Sequence, residues 1–111
     1  MVAVDTFRDA GFDVLEAANV LEAVGLLAAH DEIAVVFTDV DLPGSLSGIN
    51  LATLVSRIKP RTRIFVTSGM LDHENVATEL GAVFIPKPYS LDEMTDLICN
   101  CLASPEKALA G

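Results

Sequence analysis

The hydrophobic and polar positions of the chain form short apolar runs that alternate with longer segments of helical spacing. The short runs are β-branched or aromatic and are bounded by Gly, Pro, Asp or Ser, as strands are. The longer segments repeat their apolar positions every three or four residues. This alternation is typical of a parallel sheet with crossover helices. It predicts helices over about 2–10, 20–30, 49–59, 72–80 and 91–102, and strands over 12–17, 33–39, 63–67 and 83–85.

Local signals place several boundaries. Asn19 with Glu22, and Ser90 with Glu93, have the spacing of capping boxes and predict the starts of two helices. Pro60 predicts the end of a third helix, because proline cannot donate the next helical hydrogen bond.

Prolines also bear on sheet order. Pro86 and Pro88 surround the end of the last predicted strand, where a central strand would lose ladder hydrogen bonds, so we expect an edge strand there.

Residues 41–48 are rich in Gly, Ser and Pro and are predicted to form a mobile loop. Residues 103–111 are predicted to be a frayed C-terminal tail.

Composition narrows the class of protein. The 111 residues suit one domain, and a hydrophobic fraction of 51% allows a core without disulfides. Seven basic against sixteen acidic residues give a net charge of −9, which argues against nucleic acid and anionic membranes as partners. No apolar run reaches the roughly 20 residues of a membrane helix. Cys99 and Cys101 fit reduced thiols, and we expect a cytoplasmic protein.

Polar residues stand at the ends of three predicted strands. Asp39 ends the strand over 33–39, Thr67 follows Ile64-Phe65-Val66, and Lys87 follows Val83-Phe84-Ile85 by one proline. If these strands are parallel neighbours, a carboxylate, a hydroxyl and an ammonium meet at one edge. Open α/β sheets place their chemistry at that edge. The set predicts a site that accepts a phosphoryl group.

The motifs that carry these residues, over 35–44, 47–48, 66–69 and 84–89, together resemble those of the receiver domains of two-component response regulators. The resemblance covers 2–102. It implies an α/β fold of the flavodoxin-like (CheY-like) type, a three-layer sandwich with a parallel sheet.

The resemblance also implies roles. Asp39 would accept a phosphoryl group from a histidine kinase or phosphotransfer protein, and Thr67 and Lys87 would bind it. Mg²⁺ would be held by Asp39 and by the main-chain carbonyl of Asp41. A conformational switch would then signal to a downstream protein that the sequence does not identify.

Further family features map onto the end of the last strand. The Lys87–Pro88 peptide bond is expected to be cis. Phe84 stands at the position of the family's switch aromatic, which is often Tyr, and it lacks the hydroxyl. Tyr89 is expected to provide a second aromatic on the same face.

The chain departs from the family pattern at its beginning. Receiver domains open with a central apolar strand that ends in two acidic residues, whereas residues 1–10 already have a helical pattern. Asp5 and Asp9 lie four apart on that helix and do not match the acidic pair. We therefore expect an N-terminally truncated receiver domain over 1–102 with four strands. Mg²⁺ binding should be weakened or absent and phosphotransfer impaired, with the gap closed by a rearranged sheet or by strand swapping in a homodimer.

Two other functions fit parts of the pattern. Asp39-Val40-Asp41 resembles the first motif of haloacid-dehalogenase-type phosphatases, but Leu42-Pro43 stands where those enzymes have Gly-Thr, and we do not expect an enzyme. The remaining alternative is a protein-interaction module with a receiver fold that binds its partner without phosphorylation. Partner binding by such a module would survive the substitution Asp39→Asn.

Overall fold

A computed structural model of the chain describes residues 2–41, 46–70, 73–100 and 107–110. Helices and strands alternate along these ranges. They are α1 (Val2–Asp9), β1 (Asp13–Glu16), α2 (Val20–Ala29), β2 (Ile33–Asp39), α3 (Gly48–Ile58), β3 (Arg63–Ser68), α4 (His73–Glu79), β4 (Val83–Pro86), α5 (Leu91–Asn100) and β5 (Lys107–Ala110). None of the helices in these ranges is both long and apolar enough to cross a membrane.

The strands form one five-stranded sheet in the order β1-β5-β2-β3-β4, and every neighbouring pair is parallel. Helices pack on both faces of the sheet, so the predicted α/β sandwich with a parallel sheet is confirmed. β4 lies at an edge, as its prolines predicted. The predicted mobile loop over 41–48 falls largely on residues 42–45, which lie outside the described ranges.

Two expectations about the sheet are wrong, and both concern the end of the chain. The sheet has five strands instead of four, and part of the predicted tail is the strand β5. β5 lies between β1 and β2, where Leu109 pairs in register with Leu15 and Val36. Without β5, the facing edges of β1 and β2 would have unpaired backbone groups beside the core, which is costly. The sheet is therefore rearranged, one of the two expected ways of closing the gap.

Two core clusters cover the two faces of the sheet. The first core cluster joins α2, α3 and α4 to one face and includes Ala23, Leu51, Ala77 and Leu109. The second core cluster joins α1 and α5 to the other face. Its members include Phe7, Phe37, Phe65 and Ile98, and the rings of Phe7 and Phe37 meet edge to face with centroids 5.4 Å apart.

The helix starts follow the capping signals. The side chain of Asn19 accepts a hydrogen bond of 2.9 Å from the backbone N–H of Glu22 at the start of α2. At α3, Ser47 and Asn50 form a capping box that was not predicted from the sequence. The helix begins at Gly48. This cap fixes the position of α3 beside the end of β2, where the predicted site lies.

Candidate functional site

Asp39, Thr67 and Lys87 come together at the carboxyl edge of the sheet. Asp39 is the last residue of β2 and pairs in register with Thr67 of β3, which in turn pairs with Ile85 of β4. Lys87 directly follows β4, and its ammonium donates a hydrogen bond to Oδ2 of Asp39. The register of three neighbouring parallel strands thus produces the juxtaposition that the strand ends predicted.

The Asp39 carboxylate is held from two directions. Its Oδ1 accepts a hydrogen bond of 2.9 Å from the backbone N–H of Asp41, and its Oδ2 pairs with Lys87. The side chain is partly accessible, so a small solute can reach the carboxylate. The two hydrogen bonds orient a carboxylate that remains open to solvent.

Lys87 is anchored by its backbone as well as by its side chain. Its N–H donates a hydrogen bond of 2.9 Å to the carbonyl of Ser68, and the Lys87–Pro88 peptide bond is cis. The hydrogen bond to Asp39 raises the pKa of Lys87 above its ordinary value, and the charges of Asp39 and Asp41 add to this, while partial burial opposes it. The ammonium is therefore charged at neutral pH.

The hydroxyl of Thr67 is buried in the described part of the chain. Its side chain is 1% exposed, and no hydrogen-bond partner for Oγ1 is present among the residues that the structure describes. A buried hydroxyl left unpaired costs about 1–3 kcal/mol. Native proteins retain few such groups, and they call for an explanation. Here the hydroxyl stands beside Asp39, where it can donate to an anion bound at the carboxylate.

Replacing Thr67 by Val should therefore raise the free energy of unfolding by about 1 kcal/mol, because the change removes an unpaired buried hydroxyl. Thr38→Val is the matched control, because Thr38 is equally buried but its hydroxyl contacts the carbonyl of Asp39 at 3.4 Å. Urea unfolding of both variants measures the difference. A Thr67→Val variant no more stable than Thr38→Val would show that the Thr67 hydroxyl is satisfied in solution.

Gly48 allows α3 to begin against the end of β2. A Cβ at this position would lie 2.3 Å from the carbonyl oxygen of Asp39 and 2.8 Å from Oγ1 of Thr38. The first contact is with backbone, which cannot rotate away. Only glycine lets α3 approach the end of β2 this closely.

We expect Gly48→Ala to lower the free energy of unfolding by about 1–3 kcal/mol, the usual cost of overpacking, and to displace Asp39. Gly25→Ala in α2 is the control, because a Cβ there meets nothing within 4 Å and alanine should stabilise the helix by about 0.5–1 kcal/mol. Urea unfolding gives both values. Equal stabilities of the two variants would contradict the close approach.

Comparison with known proteins decides the family. The family described as "Response regulator receiver domain" matches residues 1–99. The chain belongs to this family. It is therefore a receiver domain of two-component signalling, a class of generally regulatory domains that typically bind Mg²⁺ at the phosphorylation site. No match was found among curated proteins.

Solved structures with the same fold support this assignment. A response regulator from Thermotoga maritima is 31% identical over 93% of this chain and 87% of that chain, with a TM-score of 0.77. The receiver domain of NtrX from Brucella abortus is 22% identical over 90% of this chain and 85% of that chain, with a TM-score of 0.79. A response regulator from Burkholderia pseudomallei, solved with a phosphorylated aspartic acid, calcium ion and citrate, is 22% identical over 92% of this chain and 65% of that chain, with a TM-score of 0.73. The last two show likeness of fold.

The oxygen donors for a metal ion are few in this receiver domain. Asp39 provides a carboxylate, and the main-chain carbonyl of Asp41 follows it, both hard oxygen ligands of the kind that Mg²⁺ takes. Within the described ranges, no group of three or more His, Cys, Asp or Glu could hold a metal ion. Asp9 of α1 lines a groove with Asp92 and Asp96 of α5 instead. These oxygen atoms are the kind of ligand that Mg²⁺ takes, but they are fewer than in a site that also has an acidic pair at a strand end.

The two candidate switch aromatics pack on different faces of the sheet, contrary to the expectation that they share one. Phe84 is half-buried against the first core cluster, whereas Tyr89 packs against the second and meets Phe37 edge to face at 6.2 Å. Successive residues of a strand point to opposite faces, so Phe84 and Ile85 diverge, and Tyr89 follows on the side of Ile85. Both aromatics still line one groove at the β4 edge. Burial raises the pKa of the Tyr89 hydroxyl, the charge of Asp39 also raises it, and Lys87 opposes both.

A further contact at the site involves His73, for which the sequence predicted no role. Its Nδ1 lies 2.8 Å from Oγ of Ser68, and the same oxygen accepts a hydrogen bond of 3.0 Å from the backbone N–H of Met70. Ser68 also accepts from the N–H of Lys87 through its carbonyl. Ser68, the residue after Thr67, thus links the end of β3 to the start of α4 and to the backbone of Lys87. The only sequence signal was a serine directly after the strand-end threonine.

Proposed function

We propose that Asp39 accepts a phosphoryl group from the phosphohistidine of a histidine kinase or phosphotransfer protein in the cytoplasm. The observation that carries this proposal is the ammonium of Lys87 on the Asp39 carboxylate, beside the unpaired buried hydroxyl of Thr67. A nucleophile, a positive charge and a free donor converge at one strand edge. They match the needs of phosphoryl transfer, which are mainly positioning and charge neutralisation.

The transfer requires little covalent chemistry from the protein. One carboxylate oxygen of Asp39 forms a bond to phosphorus as the bond from phosphorus to the donor's imidazole nitrogen breaks. The product is an acyl phosphate on Asp39 and a histidine that recovers a proton. Lys87 neutralises charge on the phosphoryl oxygens, and the Thr67 hydroxyl donates a hydrogen bond to one of them.

In this proposal, Mg²⁺ binds with fewer protein ligands than in a receiver domain that has the acidic pair. Asp39 and the main-chain carbonyl of Asp41 would hold the ion, which when bound supplies further charge neutralisation for the phosphoryl oxygens. Ion affinity falls as the number of charged ligands falls. We infer that uptake of the phosphoryl group by this chain is impaired and needs a high Mg²⁺ concentration.

The Burkholderia pseudomallei protein supports the proposal by analogy of fold. That protein was solved with a phosphorylated aspartic acid and a calcium ion. A protein of similar fold can therefore carry a phosphoryl group on an aspartate. The residues that would do so in this chain are Asp39, Thr67 and Lys87.

A conformational response would pass through Thr67 and the segment after it. A phosphoryl group carries a charge near −2 and would draw the Thr67 hydroxyl towards it. Ser68 and His73 would move with Thr67 because their side chains are hydrogen-bonded. Phe84 and Tyr89 line a groove at the adjacent edge, and repacking of these aromatics would present a changed surface to a downstream protein.

Intact mass after incubation with acetyl phosphate and Mg²⁺ tests the proposal. We expect the wild-type chain to gain one phosphoryl group and Asp39→Asn to gain none, because an amide oxygen cannot form the acyl phosphate. Asp41→Asn is the matched control, since it removes a nearby carboxylate but keeps the main-chain carbonyl. Equal gains in the wild type and Asp39→Asn would contradict the assignment of Asp39.

A second candidate function has one observation in its favour. The described residues contain no cluster of three metal ligands, and the described part of β5, the strand beside β2, carries no acidic side chain. A receiver domain of this kind could bind a partner without phosphorylation. Absence of phosphoryl uptake by the wild type, together with partner binding that Asp39→Asn leaves unchanged, would favour this interaction module.

A further inference from the structure

The gap between β1 and β2 is a binding site for one strand, and β5 occupies it. Ala108 pairs with Val14 on one side and Val35 on the other, and Ala110 pairs with Glu16 and Phe37. The side chains of residues 108–110 are 3%, 0% and 1% exposed. The segment thus fills the layer between two apolar strands and contributes to both core clusters.

β5 has an unusual composition for this position. Central strands of parallel sheets are typically rich in Val, Ile and Leu, whereas β5 is Lys107–Ala110 with one large apolar side chain. Alanine has low strand propensity, and β5 has only four residues. Leu109 is therefore the one large apolar side chain that β5 places in the core, and much of the remaining attachment of β5 comes from its two backbone ladders.

The gap itself is unfavourable when empty. Withdrawal of β5 would leave two facing strand edges with unpaired N–H and C=O groups, between apolar side chains such as Val14 and Val36. Such edges recruit any strand of suitable direction and side-chain size. Because β5 is held largely by backbone ladders, a second strand of the same sequence can take its place in the gap with the same contacts.

A second copy of the chain offers the matching strand. Its Lys107–Ala110 segment would make the same ladder and the same core contacts in the gap. The described residues of each copy would then keep the same contacts in the closed and the exchanged forms. We propose that β5 exchanges between two copies, so that each copy completes the sheet of the other. This inference does not depend on phosphoryl transfer.

The net charge of the chain determines how the exchanged dimer should depend on salt and protein concentration. Each copy carries a net charge of −9, so two copies repel each other at low ionic strength. Salt screens this repulsion. The exchanged dimer should therefore increase with protein concentration and with salt, and its mass should be twice 11.8 kDa.

A cross-linking experiment on the full chain tests the exchange directly. Glu16 and Ala110 are register partners on β1 and β5. Single-cysteine variants Glu16→Cys and Ala110→Cys, each with Cys99 and Cys101 replaced by Ser, are mixed at high concentration and salt and then oxidised. A disulfide between the two variants forms in excess of random collision only if β5 of one copy lies beside β1 of the other.

Two controls distinguish strand exchange from random collision and from a wrong register. Glu74→Cys on α4 mixed with Ala110→Cys measures random collision, and we expect the Glu16→Cys mixture to give several-fold more covalent dimer. The double variant Glu16→Cys/Ala110→Cys at low concentration shows whether the two side chains meet within one chain. Closure of the double variant with dimer yields equal to the control would overturn the exchange. Failure of the double variant to close would overturn it too, because the proposed register would then be absent.

Discussion

Substitution of Leu109 by Asp is expected to abolish cooperative folding of the chain. Leu109 is 0% exposed and stands between Leu15 and Val36 in the middle of the sheet. Loss of a buried leucine side chain costs about 2–5 kcal/mol. A buried unpaired carboxylate adds several kcal/mol. Together these are comparable to the total stability of a small domain, about 5–15 kcal/mol.

Circular dichroism during urea unfolding measures this effect. Leu21→Asp is the matched control, because Leu21 is 76% exposed on the first turn of α2 and an acidic residue there is favourable. A frayed tail would tolerate Leu109→Asp as well as the surface tolerates Leu21→Asp. Equal unfolding midpoints for the two variants would therefore exclude β5 from the sheet.

Replacement of Lys87 by Gln should lower the rate of phosphoryl uptake by about 10²–10³-fold, the usual cost of removing one preorganised stabilising donor. The ammonium contacts the Asp39 carboxylate directly and is the nearest positive charge to it among the described residues. The glutamine amide keeps a hydrogen-bond donor but removes the charge. Stability should change by less than about 1 kcal/mol, because Lys87 is exposed and such pairs contribute little.

Lys59→Gln provides the matched control for this prediction. Lys59 also pairs with an aspartate, Asp31, at 3.0 Å, but it lies beyond α3 at the opposite edge of the sheet. Time courses of intact mass with acetyl phosphate give the two rates. Similar rates for Lys87→Gln and Lys59→Gln would show that Lys87 does not neutralise the phosphoryl group.

The site could be predicted from sequence because its geometry follows from strand register. Asp39, Thr67 and Lys87 each stand at or just beyond the end of an apolar run, and parallel neighbours bring such ends to one edge. The order of the elements from α1 to α5 was predictable for a similar reason. Periodicity and caps such as Asn19 are local signals that the tertiary structure does not override.

The remaining features depend on contacts between distant parts of the chain. Lys107–Ala110 has little intrinsic strand propensity and is a strand because β1 and β2 provide two open edges. The contact of Ser68 with His73 requires the path of the chain between β3 and α4, which neither residue type indicates. Tyr89 lies beyond the end of β4 and packs on the face opposite to Phe84, so the position of one aromatic does not predict the side of the other.

Identification of the modified residue tests the central claim most directly. After incubation with acetyl phosphate and Mg²⁺, borohydride reduces an acyl phosphate on aspartate to homoserine, and tandem mass spectrometry of peptides then locates it. The structure predicts homoserine at position 39, where the carboxylate lies between Lys87 and the backbone N–H of Asp41. Homoserine at position 41 or 31, or phosphate on a serine, threonine or histidine with none at Asp39, would contradict the account.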